Sequence, residues 1–159
     1  MRILLTLAAV PAVVALALMA ADPAGYAHFT AQQLAGKEPA LIAHAKTNKS
    51  GVASEVIGDW GNHALQTVHR ETSGQAEYHE GQNDVIIIRK GAGSIVIGGK
   101  VVKGETVSPG EIRGEGIEGG VTQDIQAGDV IHIPIKTPHQ MLLNKGQKLD
   151  YIAIKVAAK

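Results

Sequence analysis

The sequence predicts an all-β domain preceded by a short helical extension. Three observations predict this class: β-branched runs of strand length at close spacing, Gly-rich segments between them, and loose alternation of apolar and polar residues within several runs. This pattern is typical of a sandwich or a closed barrel. The runs are HALQTVHRET, NDVIIIRKG, AGSIVIGGKVV, GDVIHIPI, HQMLLN and LDYIAIKVA. The sequence contains no internal repeat, so we predict a single β domain over residues 63–159.

Residues 28–62 have a different character and form the predicted extension. The stretch TAQQLAGKEPALIAHAK offers Thr30 as a helix N-cap, followed by apolar positions at helical spacing. Because a proline inside a helix removes a backbone donor, we expect Pro39 to divide this stretch into two short helical pieces. The following SGVASEVIGDWGN, residues 50–62, is interpreted as a connector to the β domain.

The N-terminal segment predicts export. Arg2 is followed by an apolar run over residues 3–21, which is typical of a signal peptide. An uncleaved membrane anchor is the alternative, because the run approaches the ~20 residues that span a bilayer. The alanine content, Pro11 and the scarcity of basic charge after the run favour the signal peptide, assigned to residues 1–27. Candidate cleavage sites follow Ala20, Ala21 and Ala27. We therefore expect a periplasmic or secreted mature protein that is not held in a membrane.

The composition excludes several classes of function. Lys and Arg together number 15, as do Asp and Glu, and the formal net charge is +0. A nucleic-acid partner normally requires a basic surface, so none is predicted. The chain has no cysteine, which excludes disulfides, thiolate metal sites and cysteine nucleophiles.

Acidic and imidazole side chains are crowded beside an apolar run in AEYHEGQNDVIIIRKG, residues 76–91. Glu77 and His79 are two residues apart, so on a strand they share one face. The short EGQN connection could fold Asp84 back beside His79, and the later stretch IPIKTPHQ delivers His139. Two imidazoles with one or two carboxylates predict a divalent metal site, because mixed nitrogen and oxygen donors suit Mn, Fe, Co, Ni, Cu or Zn.

The spacing of these residues resembles the cupin superfamily. Its first motif, G-x5-H-x-H-x3–4-E-x6-G, is matched in part by Glu77, His79, Asp84 and Gly91. Its second motif, G-x5-P-x-G-x2-H-x3-N, is matched more fully. The matching residues are Gly128, Pro134, Lys136 where Gly is usual, His139, and Asn144 one residue late. The resemblance covers roughly residues 63–157.

The resemblance implies a double-stranded β-helix, the cupin or jelly-roll barrel. It also implies that His79 and His139 are metal ligands, with Asp84 in place of the family's glutamate and Glu77 in place of its first histidine. The implied cofactor is one divalent transition metal, namely Mn, Fe, Ni, Cu or Zn. A metal-free barrel, in which these groups hydrogen-bond to each other, is the alternative. Many cupins pair through their sheets, so a homodimer is expected.

Two residues are candidates for catalysis. Glu77 could be a metal ligand or a general base beside a three-ligand metal. Arg113 lies in SPGEIRGEGIEGGVTQ, residues 108–123, which we interpret as a long polar loop. This loop is either a solvated hairpin or a lid near the barrel mouth, where Arg113 would bind a carboxylate or phosphate. His69 is expected to pack rather than to bind metal.

These residues predict an exported metal-binding protein, and specifically a metalloenzyme that acts on a small oxygen-rich substrate. The resemblance implies oxygenase, isomerase or lyase chemistry without selecting one. A non-catalytic periplasmic barrel that binds a small molecule or a metal is the alternative. A structural dimeric barrel with a vestigial site is the third interpretation.

Overall fold

The computed structural model of the chain describes residues 22–158. The predicted signal peptide falls largely on residues 1–21, which lie outside the described residues. Within the described range, no helix combines the length and the apolar composition needed to cross a membrane.

One helix and twelve strands make up the secondary structure of residues 22–158, and the all-β prediction with an N-terminal helix is confirmed. The elements are α1 (Ala31–Thr47), β1 (Val52–Asp59), β2 (His63–Arg70), β3 (Ala76–His79), β4 (Gln82–Ile97), β5 (Lys100–Val102), β6 (Glu105–Ser108), β7 (Glu111–Gly114), β8 (Gly116–Glu118), β9 (Val121–Gln126), β10 (Val130–Ile133), β11 (His139–Leu142) and β12 (Leu149–Ala157).

Helix α1 is continuous, so the expected division at Pro39 is wrong. The helix begins at a capping box in which the Thr30 hydroxyl accepts a hydrogen bond from the Gln33 backbone N–H, and Gln33 bonds back to the Thr30 backbone. Its C-terminal half buries Leu41 and Ala45 against Ala53 of β1. This packing holds the helix together across Pro39, where one backbone hydrogen bond is lost.

The segment interpreted as a connector is in fact strand β1. It pairs antiparallel with β2 from Val52 opposite Arg70 to Asp59 opposite Ala64. The β domain therefore begins near residue 52 rather than residue 63. The strand lies at the edge of its sheet, so its outer positions carry polar residues such as Glu55, and this weakens the apolar alternation by which strands are recognised.

The strands form one curled antiparallel sheet in which β4 belongs to both halves. Its first half pairs with β12 and β10, and its second half pairs with β11 and β9. The order β1-β2-β12-β4-β11-β3-β7-β6 wraps the sheet around an interior, while β5 and β8 form a separate pair. The runs expected as two strands on either side of Gly91 are thus a single strand of 16 residues.

The segment over residues 108–123 is also not a loop. It contains β7, β8 and the start of β9, and β7 pairs with β3 and β6. The alternating Glu111 and Arg113 were interpreted as loop residues because polar side chains are unusual on an inward strand face. Here both side chains line the interior, which is itself polar at this end.

The apolar core fills the rest of the interior. Ile86, Ile88 and Ile95 of β4 are buried with Ile133, Leu149 and Tyr151 from neighbouring strands. Asp84 is two residues before Ile86 and therefore has the same inward orientation. The register that buries the isoleucines also carries Asp84 inside.

Gly91 permits β4 to pass close to the chain before β12. Its φ is 86°, and a Cβ atom at this position would lie 1.9 Å from the carbonyl oxygen of Lys148. We predict that Gly91→Ala lowers the free energy of unfolding by more than the ~1–2 kcal/mol that a left-handed backbone costs alone. Gly146→Ala is the control, since Gly146 has φ of 85° and nothing within 4 Å of its Cβ position. Urea unfolding of both variants measures the difference, and equal losses would contradict the steric argument.

Candidate metal centre

The candidate site is built from directly opposed residues on neighbouring strands. His139 of β11 lies opposite Glu77 of β3, and Lys155 of β12 lies opposite Asp84 of β4. On the other side of β3, strand β7 places Glu111 opposite His79 and Arg113 opposite Glu77. Opposed side chains on one face of antiparallel strands are within interaction distance, so strand pairing gathers each set of groups. The curl of the sheet then brings Asp84 and Lys155 against His79.

The four residues predicted as metal ligands come together. Asp84 Oδ2 lies 3.3 Å from His79 Nε2 and 3.4 Å from His139 Nε2. Glu77 Oε2 lies 3.5 Å from His79 Nε2 and 3.8 Å from His139 Nε2. His79, Asp84 and His139 are buried, with exposed fractions of 5%, 2% and 3%. Carboxylate oxygens and imidazole nitrogens thus converge at a point where three of the four residues are buried and Glu77 is partly exposed.

The remaining ring nitrogens are held by other groups. His79 Nδ1 is hydrogen-bonded to the carboxylate of Glu111, and His139 Nδ1 lies 3.1 Å from the carbonyl oxygen of Thr137. Both partners are acceptors, so each Nδ1 donates a hydrogen bond to its partner and each Nε2 is directed toward the carboxylates. This is the arrangement by which outer partners orient metal-binding histidines.

Convergent acceptors require positive charge between them. Burial lowers the pKa of His79, but hydrogen bonds to Asp84 and Glu77 outweigh burial and raise that pKa to about 9. Burial raises the pKa of Glu77, yet its hydrogen bond to His79 and the charge of Arg113 bring it to about 2. The pKa of Asp84 is likewise lowered, against burial, by hydrogen bonds to both histidines and by Lys155. The centre favours a cation wherever one can be placed.

Lys155 supplies one such cation and was missed by the sequence analysis. Its Nζ lies 2.7 Å from Asp84 Oδ2 and 3.1 Å from His79 Nε2. The residue lies in a run that matches neither motif. The only sequence signal is the two-residue period that places Tyr151, Ala153 and Lys155 on one face of β12.

Arg113 binds carboxylates, but they belong to the chain itself. One guanidinium nitrogen forms an ion pair with Glu77 and the other forms an ion pair with Glu111, whose carboxylate is also hydrogen-bonded to His79. Glu111 was not among the predicted site residues, because its segment was interpreted as a loop. His69 lies outside the centre and packs between Asp150 and Glu71.

In the second motif, a lysine replaces the usual glycine at a position where the backbone is left-handed. Lys136 stands where the pattern has glycine, and its φ is 59°, in the left-handed region. The Lys136 backbone N–H donates to the carbonyl oxygen of His79 at 2.7 Å. The strained turn therefore fastens the segment before His139 onto the strand that carries His79.

The donor set fits a divalent metal ion. Glu77, His79 and His139 each offer a ligand atom, and these atoms lie within 4.8 Å of one another. The separations of 3.3–3.8 Å between donor atoms are close to the spacing of ligands about 2.0–2.2 Å from a shared ion. Asp84 Oδ1 is buried without a hydrogen-bond partner among the described residues, so a fourth acceptor is unsatisfied. This group could therefore hold a metal, provided that Lys155 releases His79 Nε2.

The centre opens into a cavity of about 550 Å³. The inner faces of β1, β2, β4 and β12 form much of its wall, and Glu77, His79, Asp84 and Lys155 line one part of it. Its size lies within the ~300–1,000 Å³ typical of small-molecule sites. A small ligand in this cavity would contact the centre directly.

Comparisons with known proteins give structural likeness only. No family model matches the chain, and no curated protein matches it in sequence. KdgF from Halomonas sp. matches with a TM-score of 0.51 and 12% identity over 71% of this chain and 85% of that protein. A predicted oxalate decarboxylase from Thermotoga maritima matches with a TM-score of 0.50 and 15% identity, over 67% of this chain and 81% of that protein.

A cupin 2 conserved barrel domain protein from Rhodopseudomonas palustris is similar at a TM-score of 0.48 and 19% identity, over 68% of this chain. The match covers 62% of that protein, less than two thirds of its length. At these identities, likeness concerns the fold and not the reaction.

The buried pair of Asp84 and Lys155 leads to a stability prediction. Lys155→Met leaves the Asp84 carboxylate buried without its ammonium partner, so metal-free protein should lose about 3 kcal/mol of unfolding free energy. Lys148→Met is the control, because Lys148 pairs with Glu71 near the surface, and such pairs contribute less than about 1 kcal/mol. Urea unfolding after chelation measures both variants. Similar small losses in the two would show that Asp84 does not depend on Lys155.

Proposed function

We propose that this chain, which has the cupin fold that its two motifs predict, is an exported metal-binding barrel and a metalloenzyme for a small oxygen-rich substrate. One observation carries the proposal. The Nε2 atoms of His79 and His139 face the carboxylates of Glu77 and Asp84, while both Nδ1 atoms are engaged elsewhere. Without a metal, a proton on His79 Nε2 and the Lys155 ammonium meet these carboxylates. A dication bound by the two Nε2 atoms and the carboxylates would take the place of both.

The chain's own groups have distinct positions in this proposal. When bound, a transition metal supplies Lewis-acid polarisation of a substrate oxygen, or oxygen activation if it is iron or copper. Glu77, with a pKa near 2 and Arg113 on its carboxylate, is a weak proton acceptor, which favours the ligand interpretation over the general base. Arg113 then acts by positioning Glu77 and Glu111. Lys155 Nζ lines the cavity and can donate a hydrogen bond to a substrate oxygen there.

Lys155 also supports the second candidate function, a metal-free barrel that binds a small molecule without turnover. Its ammonium already contacts Asp84 and His79, so it partly neutralises the acceptors that a metal would satisfy. The two candidates differ in what fills the centre of the isolated protein. Metal content therefore separates them.

We predict about one transition metal per chain in untagged protein, measured by plasma mass spectrometry. His79→Ala and His139→Ala should each lose most of that metal, because each removes one of two imidazole donors. His132→Ala is the matched control, since His132 is an exposed histidine on β10 and should leave the metal content unchanged. Wild-type protein that stays metal-free even after reconstitution would overturn the metalloenzyme and favour the metal-free barrel.

Export is part of the proposal and has its own test. Expression of the full-length chain in a Gram-negative host should yield periplasmic protein whose N-terminus follows Ala20, Ala21 or Ala27, because the n-region and apolar run form a signal peptide. N-terminal sequencing of the periplasmic fraction measures this. An intact Met1 in membrane-bound protein would favour the anchor instead. The expected homodimer stays a prediction, to be measured by sedimentation equilibrium.

A further inference from the structure

Arg70 is a buried cation without an anionic partner among the described residues. It lies at the end of β2, on the inward face, and only 4% of its surface is exposed. Its single side-chain hydrogen bond runs from Nη2 to the hydroxyl oxygen of Tyr151, at 3.2 Å. Within residues 22–158, Nε and Nη1 are buried without any hydrogen-bond partner. A buried guanidinium in this state is costly unless an acceptor is supplied.

The guanidinium lines the same cavity as the candidate metal centre. Arg70 forms the wall of the 550 Å³ cavity together with Glu77, His79 and Lys155. Gly74 leaves room for it, because a Cβ atom there would lie 2.5 Å from Arg70 Nη1. The Gly74 carbonyl oxygen in turn accepts a hydrogen bond from Gln140 Nε2 at 2.9 Å, which holds the segment in place. Gly74 and Gln140 thus fix the space that the Arg70 guanidinium occupies.

The other cations of the cavity already have partners. Arg113 is paired with Glu77 and Glu111, and Lys155 is paired with Asp84. Asp59 also lines the cavity, but it is an exposed residue whose carboxylate accepts from the Gly61 backbone N–H. Arg70 is therefore the cation of the cavity that remains for a ligand.

We propose that Arg70 binds a carboxylate group of the ligand, which places the substrate among small organic acids. The planar guanidinium matches a carboxylate through paired hydrogen bonds. A phosphate dianion concentrates its charge on one tetrahedral group and would require more cationic donors there than one guanidinium, while Arg113 and Lys155 are committed to protein carboxylates. A dicarboxylate such as malonate carries its two charges on separate groups, so only one of them needs Arg70. The identification of this acid as a substrate rests on the proposed function, whereas the anion site at Arg70 does not.

Thermal unfolding with malonate as the probe tests the site, using full-length mature protein stripped of metal and freed of chelator by dialysis. Sodium chloride at the same ionic strength is the reference, and inorganic phosphate is the competing anion. We expect malonate to raise the wild-type midpoint, because binding to the folded state stabilises it. In Arg70→Met, the apparent malonate affinity should fall at least about tenfold, since a charge-assisted hydrogen-bond pair is lost.

Two further variants distinguish the position of the Arg70 guanidinium from the overall positive charge of the protein. Arg89→Gln removes a guanidinium that pairs with Glu38 of helix α1, and should bind malonate as the wild type does. Gly74→Ala keeps every charge but displaces the Arg70 guanidinium, and should weaken malonate binding. Arg70→Met removes an unpaired buried charge, so its fold should persist, and its midpoint without ligand verifies this. Equal malonate responses in wild type and Arg70→Met would overturn the proposal, and stronger binding of phosphate than malonate would overturn the carboxylate assignment.

Repeating the titration with metal-loaded protein distinguishes the two proposals. If one acid contacts both Arg70 and the metal, malonate should bind wild-type protein more tightly after metal loading. The metal content of Arg70→Met should equal that of the wild type, because Arg70 is not a proposed metal ligand. Wild-type protein that binds malonate through Arg70 but never holds metal would overturn the proposed metalloenzyme and support the anion site. Protein that holds metal but gives no malonate response would overturn the anion site alone.

Discussion

Strand β4 joins the two halves of the sheet, and its pairing determines which side chains reach the interior. Its 16 residues pair with β12 and β10 in one half and with β11 and β9 in the other. Because side chains alternate along a strand, the register of the first half of β4 with β12 fixes which of its residues face the interior. An irregularity opposite Asp150 and Tyr151 then shifts the alternation, so that Ile95 of the second half is buried as well. Burying Ile86 and Ile88 also places Asp84 inside, opposite Lys155. A slip of one residue would expose the isoleucines and remove Asp84 from the centre together.

The interior is organised as much by charge as by apolar packing. The centre gathers carboxylates and imidazoles where little water reaches, and each acidic group is held by a neighbouring cation. Arg113 holds Glu77 and Glu111, and Lys155 holds Asp84. Hydrogen bonds to His79 and His139, together with these ion pairs, lower the pKa values of Glu77 and Asp84 despite the burial that would raise them. Among the cations of the cavity, Arg70 alone has no carboxylate partner within the described residues. This unpaired guanidinium is the basis of the proposed anion site.

The sequence predicted that the four candidate ligands lie together, because strand periodicity is a local property. Glu77 and His79 share a face at a spacing of two residues, and the cupin motifs connect them to Asp84 and His139 across about 60 residues. Two segments that were expected to be a connector and a loop are strands, and the reason is again local. Strand β1 and the segment with Glu111 carry polar residues, one at a sheet edge and the other toward a polar interior. Apolar alternation is the signal for strands, and neither segment has it.

The class of fold, the strands of the apolar core and the four side chains that could hold a metal follow from the amino-acid sequence. The cations that meet those side chains become apparent only in the folded chain. Lys155 and Arg70 are separated from their partners Asp84 and Tyr151 by 71 and 81 residues. The two-residue period along β12 places Lys155 on the face of Tyr151 and Ala153, but no local pattern shows which anion or hydroxyl either cation meets. Their roles follow from strand pairing, which sets β12 between β2 and β4. Long-range register is a property of the folded sheet, so the charge balance of the cavity becomes visible only there.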